Sequence, residues 1–253
     1  MSLIDKERFF NMAEAYDRLA QHLVPQYDFL QSEVLKMLPI ETHQKAIIID
    51  LGVGSGIFLD RILSNHMNVK CYWVDYSDDF LTVAQQKLSR YGEKVVYILS
   101  SLEEKWEDKI QEKPHVILSM SAIHHLETEE KRNLYKRCYE TLNPGGWFIN
   151  IDEMKTVYED AYLNAMRLWV KYVEEYKERI PDNELEYYQA WKSAIDNWAV
   201  RNIEKAGQPK KKGDDIHEGF IEQLQWLKKE GFINVDLFLK YHLWSVIGGQ
   251  KPL

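Results

Sequence analysis

The stretch "DLGVGSG" (50–56) limits what this chain can fold into more than any other. It ends the β-branched run "KAIIIDLG" (45–52), which reads as a strand buried on both faces. Glycines spaced this closely behind a strand open backbone conformations closed to other residues and let the chain approach a ligand. The dinucleotide fingerprint G-x-G-x-x-G is met at Gly52 and Gly54, but its third position holds Ile57 and the glycine stands at Gly56. No G-K-[ST] follows, which excludes a P-loop. What remains is a tight glycine turn at the carboxyl end of a first strand, the edge where open α/β sheets bind ligands. A second strand, "VKCYWVDYS" (69–77), brings Asp75 to that edge, where a carboxylate can accept from two ribose hydroxyls. A nucleoside-containing ligand without a pyrophosphate fits this pair of features.

The remaining chain extends the pattern. Helical stretches at 55–65 and 78–92, the second with Ser77 as N-cap, alternate with strands at 94–101 and 146–154 and with one that begins the stretch 115–126. A helix over 127–146 is stopped by Pro144 and two glycines. Strands separated by helices imply parallel βαβ units in a doubly wound sheet. From 155 to 213 the rhythm gives way to aromatic-rich helices carrying Trp169, Tyr172, Tyr176, Tyr187, Tyr188, Trp191 and Trp198. The three- and four-residue spacing of Trp169, Tyr172 and Tyr176 reads as a buried helix face. A helix (217–232) and a paired ending (233–252) resume the sheet pattern. The expected organisation is one domain over 1–253, with a helical cap at 1–42, a core at 43–154 and 214–253, and a helical lid at 155–213.

Composition narrows the partners. A formal net charge of −8 disfavours broad nucleic-acid binding, which depends on lysine and arginine at phosphates. The one tight basic cluster, "PKKKG" (209–213), reads as a solvated loop. Cys71 and Cys138 fit no metal spacing or disulfide framework and read as reduced core thiols. No metal-ligand set is read from the sequence. No stretch approaches the roughly 18 apolar residues of a membrane span, and the first ten residues lack a signal-peptide pattern, so a cytoplasmic protein is expected. A homodimer is left open.

"IIIDLGVGSG" resembles motif I of the class I S-adenosylmethionine-dependent methyltransferases, and "CYWVDYS" their motif II. "VVYILSSLEE", "HVILSMSAIHHLE" and "LNPGGWFINIDE" resemble the later motifs in order, and "GFINVDLFLKYHLWSVIGGQKP" the closing strand pair. The resemblance implies a Rossmann-like, seven-stranded, mostly parallel sheet with an antiparallel last strand. It also implies S-adenosyl-L-methionine as cofactor, S-adenosyl-L-homocysteine as product and a small-molecule acceptor. It assigns Asp50, Gly52, Gly54 and Gly56 to the methionine half of the cofactor, Asp75 to the ribose, and Tyr76 to the ribose or adenine. Ser101 and Leu102 stand where the family often has an adenine-binding aspartate. Ser119 would contact the methionine moiety through its backbone, and Tyr16 would reach the cofactor carboxylate. Phe9, Phe10 and Tyr27 would shape the lid.

His124 and His125 are the candidate catalytic residues, beside the acceptor; the same pair also reads as packing. A base is required only if the acceptor's nucleophile carries a proton. Two other uses of an S-adenosyl ligand stay open. "AEAYDRLAQHLVPQYDFL" is also similar to the carboxy-S-adenosylmethionine synthases, which modify the cofactor, although their glycine turn differs. A non-catalytic S-adenosyl-binding protein would keep the same loop. A nicotinamide oxidoreductase is disfavoured by the displaced third glycine.

Overall fold

The computed structural model describes residues 13–41 and 43–253. Phe9 and Phe10 lie outside the described residues, as does part of the expected cap.

Seven strands form one sheet in the order β3-β2-β1-β4-β5-β7-β6. β1 (Ala46–Leu51), β2 (Val69–Asp75), β3 (Val95–Leu99), β4 (Val116–Met120) and β5 (Trp147–Glu153) pair in parallel. β7 (Trp244–Gln250) runs antiparallel to both β5 and β6 (Ile233–Tyr241). This is the seven-stranded architecture with the antiparallel last strand expected from the sequence.

Successive residues of a strand face opposite sides of the sheet, and the central strands use this to feed two cores. Ile48 and Trp73 pack on one face. Ile49, Leu51, Tyr72 and Val74 pack on the other. Helices α1 (Ala13–Leu23), α2 (Tyr27–Met37), α3 (Ile57–Asn65) and α4 (Asp78–Leu88) cover the first face, joined by α6 (Glu159–Tyr176) and α7 (Leu185–Ala199) of the insertion. α5 (Thr128–Thr141) and α8 (Phe220–Glu230) cover the second. Both cysteines are free and buried, as expected.

The second helix starts where the sequence indicates. Ser77 is extended, and its hydroxyl accepts the Phe80 amide hydrogen at 3.2 Å. Asp78 and Asp79 sit in the first turn, favourably placed against the helix dipole. Ser77→Ala removes the cap and is expected to cost about 1 kcal/mol. Thermal denaturation should show a fall of roughly 2–4 °C; an unchanged midpoint would remove the cap from the account.

The insertion is tied to the N-terminal helices by indole hydrogen bonds. Trp169 Nε1 donates to Leu23 O at 2.8 Å, and Trp191 Nε1 donates to Ala15 O at 3.0 Å. The expected stripe on α6 is only partly buried: Trp169 is 6% exposed but Tyr172 is 38% exposed, because the face packed on α1 and α7 is narrower than the stripe. The basic loop 209–213 is solvent-exposed yet anchored. Lys212 Nζ lies 2.5 Å from Glu103 and 2.8 Å from Glu130, and Lys210 Nζ donates to Asn202 Oδ1 at 2.6 Å.

Candidate active site

β1 has β2 on one side and β4 on the other, so the chain departs in opposite directions from the carboxyl ends of β1 and β4. A crevice forms at such a switch point. Here it becomes a cavity of about 1160 Å³ between the glycine turn, the loops after β2, β3 and β4, and helices α1 and α7.

The glycine turn owes its shape to three left-handed residues, with φ of +69° at Gly52, +58° at Gly54 and +81° at Gly56. A Cβ on Gly52 would lie 2.2 Å from the Ala122 Cβ, so only glycine lets the loops after β1 and β4 touch. Asp75 clamps the turn. Its Oδ2 accepts the Gly54 amide at 2.8 Å and its Oδ1 accepts the Ser77 amide at 3.0 Å. Each carboxylate oxygen still has acceptor capacity toward the cavity. Burial raises the Asp75 pKa while the Gly54 and Ser77 amides oppose the rise. Asp50, at the cavity floor, is 2% exposed. Burial, and then the charge of Asp75, holds its pKa well above the ordinary carboxylate range.

Gly52, Gly54, Asp50, Asp75, Tyr76, Ser101, Leu102, Tyr16, His124 and His125 all line this cavity. Two expected contacts do not. Gly56 points its missing side chain at Leu88 and Ala84, because its φ starts α3 and its role is helix packing. Ser119 is fully buried, its hydroxyl donating to Leu51 O at 2.7 Å, and the next residues Met120, Ser121 and Ala122 reach the cavity instead. Ser121 adopts φ +54°, a strained choice for a non-glycine residue that marks the loop after β4.

His124, His125, Glu153, Arg201 and Asp215 line the cavity as part of a polar cluster. His124 Nδ1 is 2.6 Å from Asp152 Oδ1, both groups buried. His217 bridges Tyr162 Oη at 2.5 Å and Glu153 Oε2 at 3.0 Å. Asp215 Oδ2 accepts from Arg201 Nη2 and Asn202 Nδ2, each at 3.1 Å. Burial disfavours a charged His124, yet Asp152, Glu153 and Asp215 outweigh it and push its pKa to about 9. Burial, with the neighbouring His124, pushes His125 down to about 3. Arg201 Nε and Nη1 are buried with no hydrogen-bond partner among the described residues. The sequence reading missed Asp152, Glu153, Arg201, Asp215 and His217. The acids closing "FINIDE" at the ligand-binding edge of the sheet were the available signal.

Residues 49–148 match a family model described as a methyltransferase domain. Curated relatives include the carboxy-S-adenosyl-L-methionine synthase of Nautilia profundicola, 23% identical over 94% of this chain and 92% of its own. Carboxy-S-adenosyl-L-methionine synthase 1 of Yersinia pseudotuberculosis is 21% identical over 91% of this chain and 88% of its own. Among solved structures, human N-acetylserotonin methyltransferase in complex with SAM superposes with a TM-score of 0.59 at 14% identity, over 98% of this chain and 57% of its own. PigF with SAH gives 0.61 at 14% identity, over 96% of this chain and 62% of its own. The chain therefore spans somewhat more than half the length of these solved methyltransferases. No helix among the described residues is long and apolar enough to cross a membrane. In family match and in architecture, this chain has the class I S-adenosylmethionine-dependent methyltransferase fold.

Proposed function

We propose that the protein is an S-adenosylmethionine-using enzyme that acts on a small carboxylate-bearing second substrate, with chemistry of the carboxy-S-adenosyl-L-methionine synthase type. The observation that carries this reading is Arg201, which lines the cavity that also holds the glycine turn: its Nε and Nη2 face Asp214 and Asp215, and its buried Nη1 has no hydrogen-bond partner among the described residues. A guanidinium in that condition matches a carboxylate. Similarity to curated carboxy-S-adenosyl-L-methionine synthases over most of both chains supports the same reading.

The residues present fit the cofactor. Asp50 is a buried carboxylate with a raised pKa, suited to the positively charged methionine half, which would relieve its burial. Gly52 and Gly54 leave room for backbone approach. In this reading Asp75 and Tyr76, which line the cavity, take the ribose, Ser101 and Leu102 the adenine, and Tyr16 the cofactor carboxylate. When bound, the cofactor would supply a methyl group activated by its sulfonium: in this reading the methyl carbon gives up a proton and takes the carboxyl group that the acid loses, the acid taking up a proton in its place. The chain's own work is to hold both ligands in register and keep water out. Trp169, Trp191 and Trp198 close the wall over the cavity, and their aromatic faces suit a cation.

A second reading is methyl transfer to a small acceptor, favoured by His125. Its side chain is 35% exposed and lines the cavity, where it can meet an acceptor, while His124 stays fixed by Asp152. A single assay separates the readings. The protein is incubated with S-adenosylmethionine and a panel of small oxo- and hydroxy-acids, and both ligands are followed by mass spectrometry. A carboxylated S-adenosyl product, lost in Arg201→Ala, is the expected result. A methylated acid with S-adenosylhomocysteine would establish the second reading. Cofactor bound but unchanged with every acid would reject both and leave a binding protein.

A further inference from the structure

Three side chains of the polar cluster converge on one point. His124 Nε2 stands 3.7 Å from Asp215 Oδ1, and His125 Nδ1 stands 3.5 Å from the same oxygen. All three atoms lie within 4.8 Å of one another. The two measured separations are too long for good hydrogen bonds. Ligand atoms about 2.1 Å from a shared ion would stand roughly 3.0–3.5 Å apart, and the two histidine–carboxylate separations come close to that spacing. Two imidazoles and a carboxylate converging from different segments form the facial set that divalent transition metals take, leaving positions open.

The surroundings hold these ligand atoms in place. Asp152 takes His124 Nδ1 at 2.6 Å, which fixes the ring and leaves Nε2 turned to the cluster. Arg201 and Asn202 both bind Asp215 Oδ2, which leaves Oδ1 turned to the two histidines. The distal atom of each buried ligand is therefore bound to a partner, as outer-shell groups bind at metal centres. His125, the half-exposed ligand, needs only a small adjustment to close the set.

We propose that His124 Nε2, His125 Nδ1 and Asp215 Oδ1 form a binding site for a divalent transition-metal ion of the zinc, iron and cobalt class. The site lies on the cavity wall, so the open coordination positions face the space for the second substrate. Oxygen atoms of a chelating acid fill them, and the metal then positions that substrate against the cofactor. The metal site stands on the geometry of three side chains; the role given to its open positions rests on the function proposed above.

The test uses the full chain. Protein purified without chelator is assayed for metal by plasma mass spectrometry. EDTA-treated protein is then titrated with Co²⁺ and followed by its d–d absorption. One Co²⁺ per chain is expected, with His125→Ala and Asp215→Asn each weakening binding roughly 100-fold or more. His125→Ala is the cleaner variant, because the residue is not fully buried. Oxalate added to the cobalt-loaded protein should shift the absorption; an unchanged spectrum would overturn the open-position role. Wild-type protein that neither carries a metal nor takes up one equivalent of Co²⁺ overturns the site, as would variants that bind Co²⁺ as tightly as wild type. S-adenosylhomocysteine is titrated separately into metal-free protein. Cobalt uptake without S-adenosylhomocysteine binding would reject the cofactor reading and keep the metal site; the reverse result would do the opposite.

Discussion

Gly54→Val is expected to abolish binding of S-adenosylhomocysteine while the chain stays folded. At this position the nearest atoms to an added Cβ belong to the Phe80 ring, at 3.7 Å, so the fold has room for a side chain. The cost to folding is conformational: a valine at φ +58° is strained by about 1–2 kcal/mol or somewhat more. The cost to binding is larger. Gly54 and Phe80 both line the cavity, and two extra methyl groups would stand where the turn must approach the methionine half of the ligand. The Gly54 amide also donates to Asp75, so distortion of the turn shifts the ribose-side carboxylate as well. Isothermal titration should show affinity reduced by at least about 100-fold, more than 2.7 kcal/mol. Retained affinity within about tenfold of wild type would show that the ligand lies elsewhere. Gly52→Val is the contrasting variant. Its Cβ would stand 2.2 Å from that of Ala122, so it should lose stability before any binding is measured.

The contrast between these two glycines marks what the sequence conveyed. The succession of strands along the chain and the position of the glycine turn were readable, because continuous apolar runs and turn residues are local signals. Asp75 was readable because it ends a strand at the edge where ligands bind. Gly56 and Ser119 do not line the cavity, for a geometric reason. Membership of a motif fixes the neighbourhood of a residue and leaves its direction open; Gly56 faces Leu88, and Ser119 faces the β1 backbone. The polar cluster was the least legible part. It joins the loop after β4, the end of β5, the tail of the insertion and residues 215–217, and no local pattern reports that convergence. Of its members only His124 and His125 stood out, as adjacent histidines. The choice between cofactor modification and methyl transfer shows the same limit. The glycine turn weighed against the carboxy-S-adenosyl-L-methionine synthases, whereas similarity over most of the chain and the Arg201 guanidinium weigh for them.

Trp191→Ala is expected to loosen the wall of the cavity and the protein together. Trp191 is 6% exposed and belongs to α7, but two of its contacts are made to α1. Its ring stacks on Tyr16 with centroids 5.8 Å apart at 18°, and its Nε1 donates to Ala15 O at 3.0 Å. Tyr16 in turn meets Phe80 edge-on at 5.8 Å, so one indole links the insertion, the N-terminal helices and the rim of the glycine turn. Truncation to alanine removes that packing and should cost about 3–5 kcal/mol. The melting midpoint should fall by roughly 6–20 °C. Trp191→Phe keeps an aromatic face for Tyr16 but loses the bond to the Ala15 carbonyl, which keeps its helical partner, and should cost about 0.5–1.5 kcal/mol. Both variants should release S-adenosylhomocysteine faster in stopped-flow displacement, alanine more than phenylalanine, because Tyr16 loses its backing in that order. If both melt with wild type and release the ligand at the wild-type rate, the insertion is not what closes this cavity. If stability falls and release is unchanged, Tyr16 is held by Phe80 and the other contacts of α1, and its assignment to the cofactor carboxylate must be tested by Tyr16→Phe.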